Sequence, residues 1–124
     1  MNVDKMDFLC SRYPELYGEK FYFEVGDGWN EIIQSMSADL FALVSDLPDN
    51  QQLRADHYVG EVKEKFGELR VCMNVRETDE ITATIGKFMA ASRVTCDVCG
   101  GVGQRRRSHG WVSTRCNVHE PEKS

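Results

Sequence analysis

No stretch of this chain stays apolar for the roughly 18–20 residues that a membrane-spanning helix needs. The opening MNVDKMDFLC has neither the basic run nor the apolar centre of a secretory signal. Internal repeats and low-complexity tracts are missing as well. So are the short signatures that announce chemistry: there is no G-x-S-x-G, no H-E-x-x-H, no G-x-x-x-x-G-K-[ST] and no deaminase H-x-E…P-C-x-x-C. Carboxylates are plentiful, yet nothing in their spacing pairs them. These gaps lead us to expect no enzyme, no membrane contact and no phosphate-cradling loop. The five cysteines are an odd number, and three of them cluster with histidine. That pattern suits a reducing compartment better than a disulfide framework, so the expected location is the cytoplasm.

What is present is an ordinary globular balance over 124 residues, 41% apolar and 28% charged. That length suits one domain with a small appendage. The net charge of −5 is unevenly placed. Residues 93–124 hold six Lys or Arg against three Asp or Glu, a net +3, which leaves −8 on the remaining residues. An acidic body (residues 1–92) and a basic C-terminal lobe (93–124) are therefore the expected parts, and such asymmetry suggests a charged partner at one face.

Along the body, MDFLCSRYPELY (6–17) reads as a short helix or two turns, interrupted at Pro14. KFYFEV (20–25) reads as a short strand. Trp29, Ile32, Ile33, Met36, Leu40, Leu43, Val44 and Leu47 recur at three- and four-residue steps, which predicts a long amphipathic helix. Asp27 stands at its cap position, and Pro48 with Asp49 and Asn50 at its end. Residues 53–75 read as a hairpin with Gly67 in its turn, because Leu69, Val71, Met73 and Val75 alternate with polar positions. A second helix should start near Thr78 or Asp79 and place Ile81, Ile85, Phe88, Met89 and Ser92 on one side. The closing EPEKS reads as frayed. The expected fold is α+β: a small antiparallel sheet packed with two helices, followed by the lobe.

The lobe carries the chemistry. Cys96 and Cys99 form a C-x2-C pair followed by Gly100 and Gly101, and after 16 residues between Cys99 and Cys116 the pair Cys116-x2-His119 repeats the spacing. A C-x2-C can turn both sulfurs to one point, since the following glycine tolerates the bend. Two such pairs around a hairpin-sized loop supply a tetrahedral Cys3His set, for which Zn2+ is the expected cytosolic ion. Four protein ligands leave no position for water, so the site is expected to be structural. His109 is the alternative to His119. Three thiolates and Zn2+ sum to −1, so Arg105, Arg106 and Arg107 can serve to offset that charge. Alternatively they contact nucleic acid together with Arg115, with Trp111 as a stacking surface.

Other features have plainer readings. GDGW (26–29) reads as a strand-to-helix turn, with Trp29 in the core or partly exposed as a binding anchor. KEKFGELR (63–70) reads as the solvated tip of a hairpin rather than a recognition loop. Cys10 and Cys72 read as buried or half-buried thiols.

RYPELYGEKFYFEVGDGWNEII (12–33), VKEKFGELRV (62–71) and the C-x2-C-G…W…C-x2-H ending together resemble a family of small uncharacterised proteins from bacteria and their phages, with a C-terminal zinc-ribbon-like motif. The resemblance covers most of the chain and implies no activity, substrate or catalytic residue. It implies a bacterial or phage protein in the bacterial or host cytoplasm. The first functional expectation is thus a non-enzymatic, zinc-stabilised protein-binding module, a regulator or inhibitor of a host or defence complex. Tyr13, Tyr17, Trp29 and Trp111 are its candidate exposed aromatics. The second is nucleic-acid binding through the arginine-rich hairpin, against which stand the acidic body and a pI near 5.2.

Overall fold

The Asn2 side chain accepts a hydrogen bond from the Lys5 amide at 2.9 Å and so starts the first helix, α1 (Val3–Arg12), three residues earlier than periodicity suggests. It ends where Pro14 requires: Tyr13 leaves the helical region at φ −129° and ψ 63°. The computed structural model describes residues 1–48 and 53–121. The expected strand at 20–25 shrinks to β1 (Phe23–Glu24). A single 3-10 turn (Asp27–Trp29) leads into α2 (Asn30–Ser45). Asp27 does not cap that helix: its carboxylate accepts from the Asn2 amide at 2.7 Å instead. Asp49 and Asn50 of the expected helix stop lie outside the described residues, as do the last three residues of EPEKS.

β2 (Val59–Lys65) and β3 (Glu68–Met73) form the expected antiparallel hairpin, joined by a two-residue turn at Phe66 and Gly67. Both turn residues have positive φ, 55° and 77°, the backbone twist that two-residue hairpins require. β1, however, lies parallel to β2, with Phe23 opposite Val62. The three-stranded sheet, in the order β1-β2-β3, is therefore mixed and not antiparallel throughout. The chain passes through α2 between those two strands, and a crossover of that length brings the second strand back in the direction of the first. Thr78 caps α3 (Asp79–Ser92) by accepting from the Ile81 amide at 3.2 Å. The body thus has three helices, one more than the two expected, because the N-terminal segment is a full helix. β4 (Gln104–Ser108) and β5 (Trp111–Arg115) form a second, separate hairpin.

One core unites the body. Ile33, Met36, Leu40 and Val44 of α2 pack with Leu9, Tyr17, Phe23, Leu69, Ile81 and Ile85, all buried. Tyr17 and Trp29, two of the candidate binding aromatics, are 1% and 0% exposed and belong to this core. Their polar tips are satisfied inside. The Tyr17 hydroxyl donates to Ser37 Oγ at 2.6 Å, and Ser37 in turn donates to the Ile33 carbonyl. Cys10 is half-buried as expected, whereas Cys72, on the outward face of edge strand β3, is exposed. Among the described residues no helix is long and apolar enough to cross a membrane.

Candidate metal centre

The four predicted ligands meet. The ligand atoms of Cys96, Cys99, Cys116 and His119 all lie within 4.8 Å of one another, in the segments that enter β4 and leave β5 at the open end of the hairpin. A tetrahedral ion with sulfur at about 2.3 Å and nitrogen at about 2.0–2.1 Å needs edges of about 3.8 Å between sulfurs and about 3.6 Å from sulfur to nitrogen. Cys99 Sγ is 3.7 Å from Cys116 Sγ, Cys96 Sγ is 3.8 Å from His119 Nδ1, and Cys116 Sγ is 3.3 Å from the same nitrogen. The donor set and its spacing fit one tetrahedral ion of the size of Zn2+. His109, the alternative ligand, sits in the turn at the opposite end of the hairpin and is not part of the cluster.

Backbone geometry prepares the sulfurs. The amide of Gly100 bonds to the Cys96 carbonyl at 2.9 Å, and Gly100 takes φ +82°, which folds the loop back over its first cysteine. The Gly101 amide then points at Cys99 Sγ, 3.4 Å away. Burial of Cys96 pushes its thiol up, but amide donors from Cys116, Cys99 and Val98 outweigh this and bring the pKa down to about 6. Burial also raises Cys116, yet donors from His119 and Val118 leave it lowered. Cys99 moves up: the Gly101 amide would lower it, but lost hydration and its crowding against the other two sulfurs prevail. The bonds to Cys116 and Cys96 raise His119. A cation placed among these groups favours three thiolates and a neutral imidazole, the form in which the ligands bind metal.

Two of the four arginines that sequence reading offered to a nucleic acid, Arg106 and Arg115, are engaged inside the lobe. Arg106 donates to the Arg115 carbonyl at 2.9 Å and to Asn117 Oδ1 at 2.7 Å, with the Glu120 carboxylate 3.7 Å away. Arg115 pairs with Asp97 at 3.0 Å. Asn117 and Asp97 lie within the two ligand pairs, so these guanidinium groups brace the metal loops. Arg105 donates to the Phe66 carbonyl of the body. Arg107 is exposed, and Trp111 is 80% exposed.

Sequence reading missed the seat of this centre. The GDGW loop is not a ligand cradle but the surface on which the first cysteine pair rests. The Gly28 amide donates to the Asp97 carbonyl at 2.9 Å, and the Trp29 indole donates to the Thr95 carbonyl at 2.9 Å. A β-carbon at Gly26 would stand 2.0 Å from the Asp97 carbonyl oxygen, and one at Gly28 would stand 2.1 Å from that of Cys96. Only glycine admits so close a backbone. The repeated glycine in GDG was the available signal, and nothing local said what would approach it.

The chain matches no protein-family model, and no curated protein and no solved structure matches it either. These comparisons lend no support to the resemblance to small bacterial and phage proteins.

Proposed function

We propose that this protein is a non-enzymatic binding module whose C-terminal lobe is a zinc-ribbon-like unit stapled by one structural Zn2+ and whose partner is another protein. The observation that carries this reading is the combination of a closed Cys3His tetrahedron with an apolar lobe surface. Four protein ligands leave no coordination position for substrate or water, so the metal serves shape rather than catalysis. On the lobe Val94, Val98, Val102 and Val118 are exposed by 59%, 41%, 89% and 86%, and Trp111, at the far end of the hairpin, by 80%. Val98 and Val118 sit between the ligands of each pair, which presents apolar side chains from a rigid metal-braced loop. Apolar exposure concentrated in one small lobe supports a role for it in binding a partner.

The acidic body and the family resemblance support a narrower version: a bacterial or phage regulator or inhibitor that occupies a host complex in the cytoplasm. The thiolate ligands suit that reducing location. Nucleic-acid binding is the second reading, favoured by exposed Arg107 and Trp111 but weakened by the internal engagement of Arg105, Arg106 and Arg115.

Metal analysis of the purified protein together with co-purification from the host tests the proposal. One zinc per chain and a stoichiometric protein partner, both lost in Cys116→Ser, are expected. A metal-free, folded wild-type protein would remove the staple, and repeated recovery of no partner would remove the binding role. A salt titration on single- and double-stranded DNA separates the second reading. Binding with a log–log slope that falls by about 2–3 when Arg105, Arg106 and Arg107 become Ala would move nucleic acid to first place.

A further inference from the structure

The two hairpins meet tip to flank. Thr114 of β5 donates its hydroxyl to the Gly67 carbonyl, and Arg105 of β4 donates to the carbonyl of Phe66. Between the turns lies a cleft of about 500 Å³ lined by Glu64, Lys65, Phe66, His109, Trp111 and Val112. Its two aromatic walls are turned outward: Phe66 is 57% exposed and Trp111 80%.

Phe66 is in a costly position. At φ 55° it occupies the left-handed region, where the first residue of such a turn is ordinarily Asn, Asp or Gly. A bulky side chain there is strained, and its half-exposed ring does little to offset that strain by packing. Strain of this kind gathers where a side chain has a use on the surface.

The charges around the cleft have one predominant sign. Lys65 Nζ lies 5.7 Å from the Phe66 ring centroid. Arg105 is anchored beside the same residue, and Arg107 is the cross-strand partner of Val112 in the cleft wall. The carboxylate among the lining residues, Glu64, is turned inward to accept from the Gly67 amide at 2.7 Å. An aromatic cup rimmed by cations complements an apolar side chain carried between carboxylates.

We propose that this cleft is a peptide-docking site that takes one large apolar side chain, aromatic for preference, flanked by Asp or Glu. The assignment rests on the protein-binding reading above and locates it. The cleft is a cup between two turns rather than a track, so it fits one anchor residue. With Arg106 and Arg115 held by Glu120, Asn117 and Asp97, few cations remain to follow a phosphate backbone.

The test is selection of a displayed library of random twelve-residue peptides on the full zinc-loaded chain. One enriched peptide and its Asp→Asn, Glu→Gln counterpart are then titrated against wild type, Trp111→Ala, Phe66→Asn and, as a control, Phe8→Ala. A thymidine dodecanucleotide is titrated alongside. The expected pool carries an aromatic or large aliphatic residue between acids. Trp111→Ala and Phe66→Asn should each weaken binding at least about tenfold, while Phe8→Ala leaves it unchanged. Phe66→Asn should also melt at a higher temperature than wild type, because Asn-Gly relieves the turn, which separates a docking role from a structural one.

Enriched peptides that lack acids, or that bind the cleft variants as well as wild type, overturn the site and leave the binding module standing. No enrichment over bare support overturns both. Tighter, Trp111-dependent binding of the oligonucleotide reassigns the cleft to single-stranded nucleic acid.

Discussion

A β-carbon at Gly28 would meet the Cys96 carbonyl oxygen at 2.1 Å and the Asp97 carbonyl carbon at 2.6 Å, and backbone atoms cannot yield as a flexible side chain can. Gly28→Ala should therefore cost about 1–3 kcal/mol, the range of overpacked sites, and weaken metal retention with it. Urea denaturation and a competition titration with a chelator read the two effects. Gly86 is the opposite case: it lies in the middle of α3, and a methyl group added there would meet nothing within 4 Å. Gly86→Ala should stabilise by about 1 kcal/mol in the same denaturation experiment. Tyr17 supplies a pH dependence. Burial pushes its phenol well above the ordinary value, and the bond to Ser37 only partly offsets this. The unfolded phenol ionises above about pH 10 while the folded one keeps its proton to higher pH, so stability present below about pH 10 is lost as pH rises, by up to about 1.4 kcal/mol per unit. Tyr17→Phe should be less stable at neutral pH and show a shallower alkaline decline, measured by denaturation at several pH values.

At the level of elements, the two hairpins are joined by Thr114, whose buried hydroxyl donates to the Gly67 carbonyl. Thr114→Val keeps the shape and removes the donor, leaving a carbonyl without its partner. A loss of about 1–2 kcal/mol is expected in chemical denaturation. Elements of this kind differ in how far their sequence reveals them. α2 and α3 were legible because their apolar residues recur with the helix period and Thr78 marks a start. The metal ligands were legible because both pairs are local, with two residues between ligands. β1 was legible only as a strand, since its direction depends on Val62, far along the chain. Trp29 was legible as a core residue from its place in the apolar stripe, but its bond to Thr95 was not, because so distant an acceptor leaves no local trace. The seat formed by Gly26 and Gly28 is a backbone-to-backbone contact, which has no side-chain pattern to read. The cleft escaped notice for the same reason: Phe66 and Trp111 are brought together only by contacts between two hairpins.

For the molecule as a whole, lobe and body are fastened at the GDGW seat and at the tip of the β2–β3 hairpin, where Thr114 bonds to Gly67 and Arg105 to Phe66. Metal binding energy should therefore be felt in both. Zinc removal by a strong chelator is expected to lower the melting temperature of the entire chain in one cooperative step, rather than to melt the lobe alone. In a Trp111→Phe background the remaining tryptophan, Trp29, reports on this directly. Its emission should shift to longer wavelength as its bond to Thr95 opens and water reaches the ring. A chelated protein whose Trp29 emission does not change, or whose melting splits into two steps, would show the lobe to be independent.

The bond from Trp29 to Thr95 joins residues 66 apart, and that separation sets an order of events during synthesis. At about 5–20 residues per second, the ribosome makes the GDGW loop several seconds before the backbone that covers it. Through that interval the largest side chain of the core has no lid over its polar edge, and the metal loops do not yet exist. On the proposed function, an ion held by Cys96, Cys99, Cys116 and His119 would be acquired only after both the seat and these ligands have been made, and a cell short of zinc would accumulate newly made chains with this seam open to chaperones and proteases.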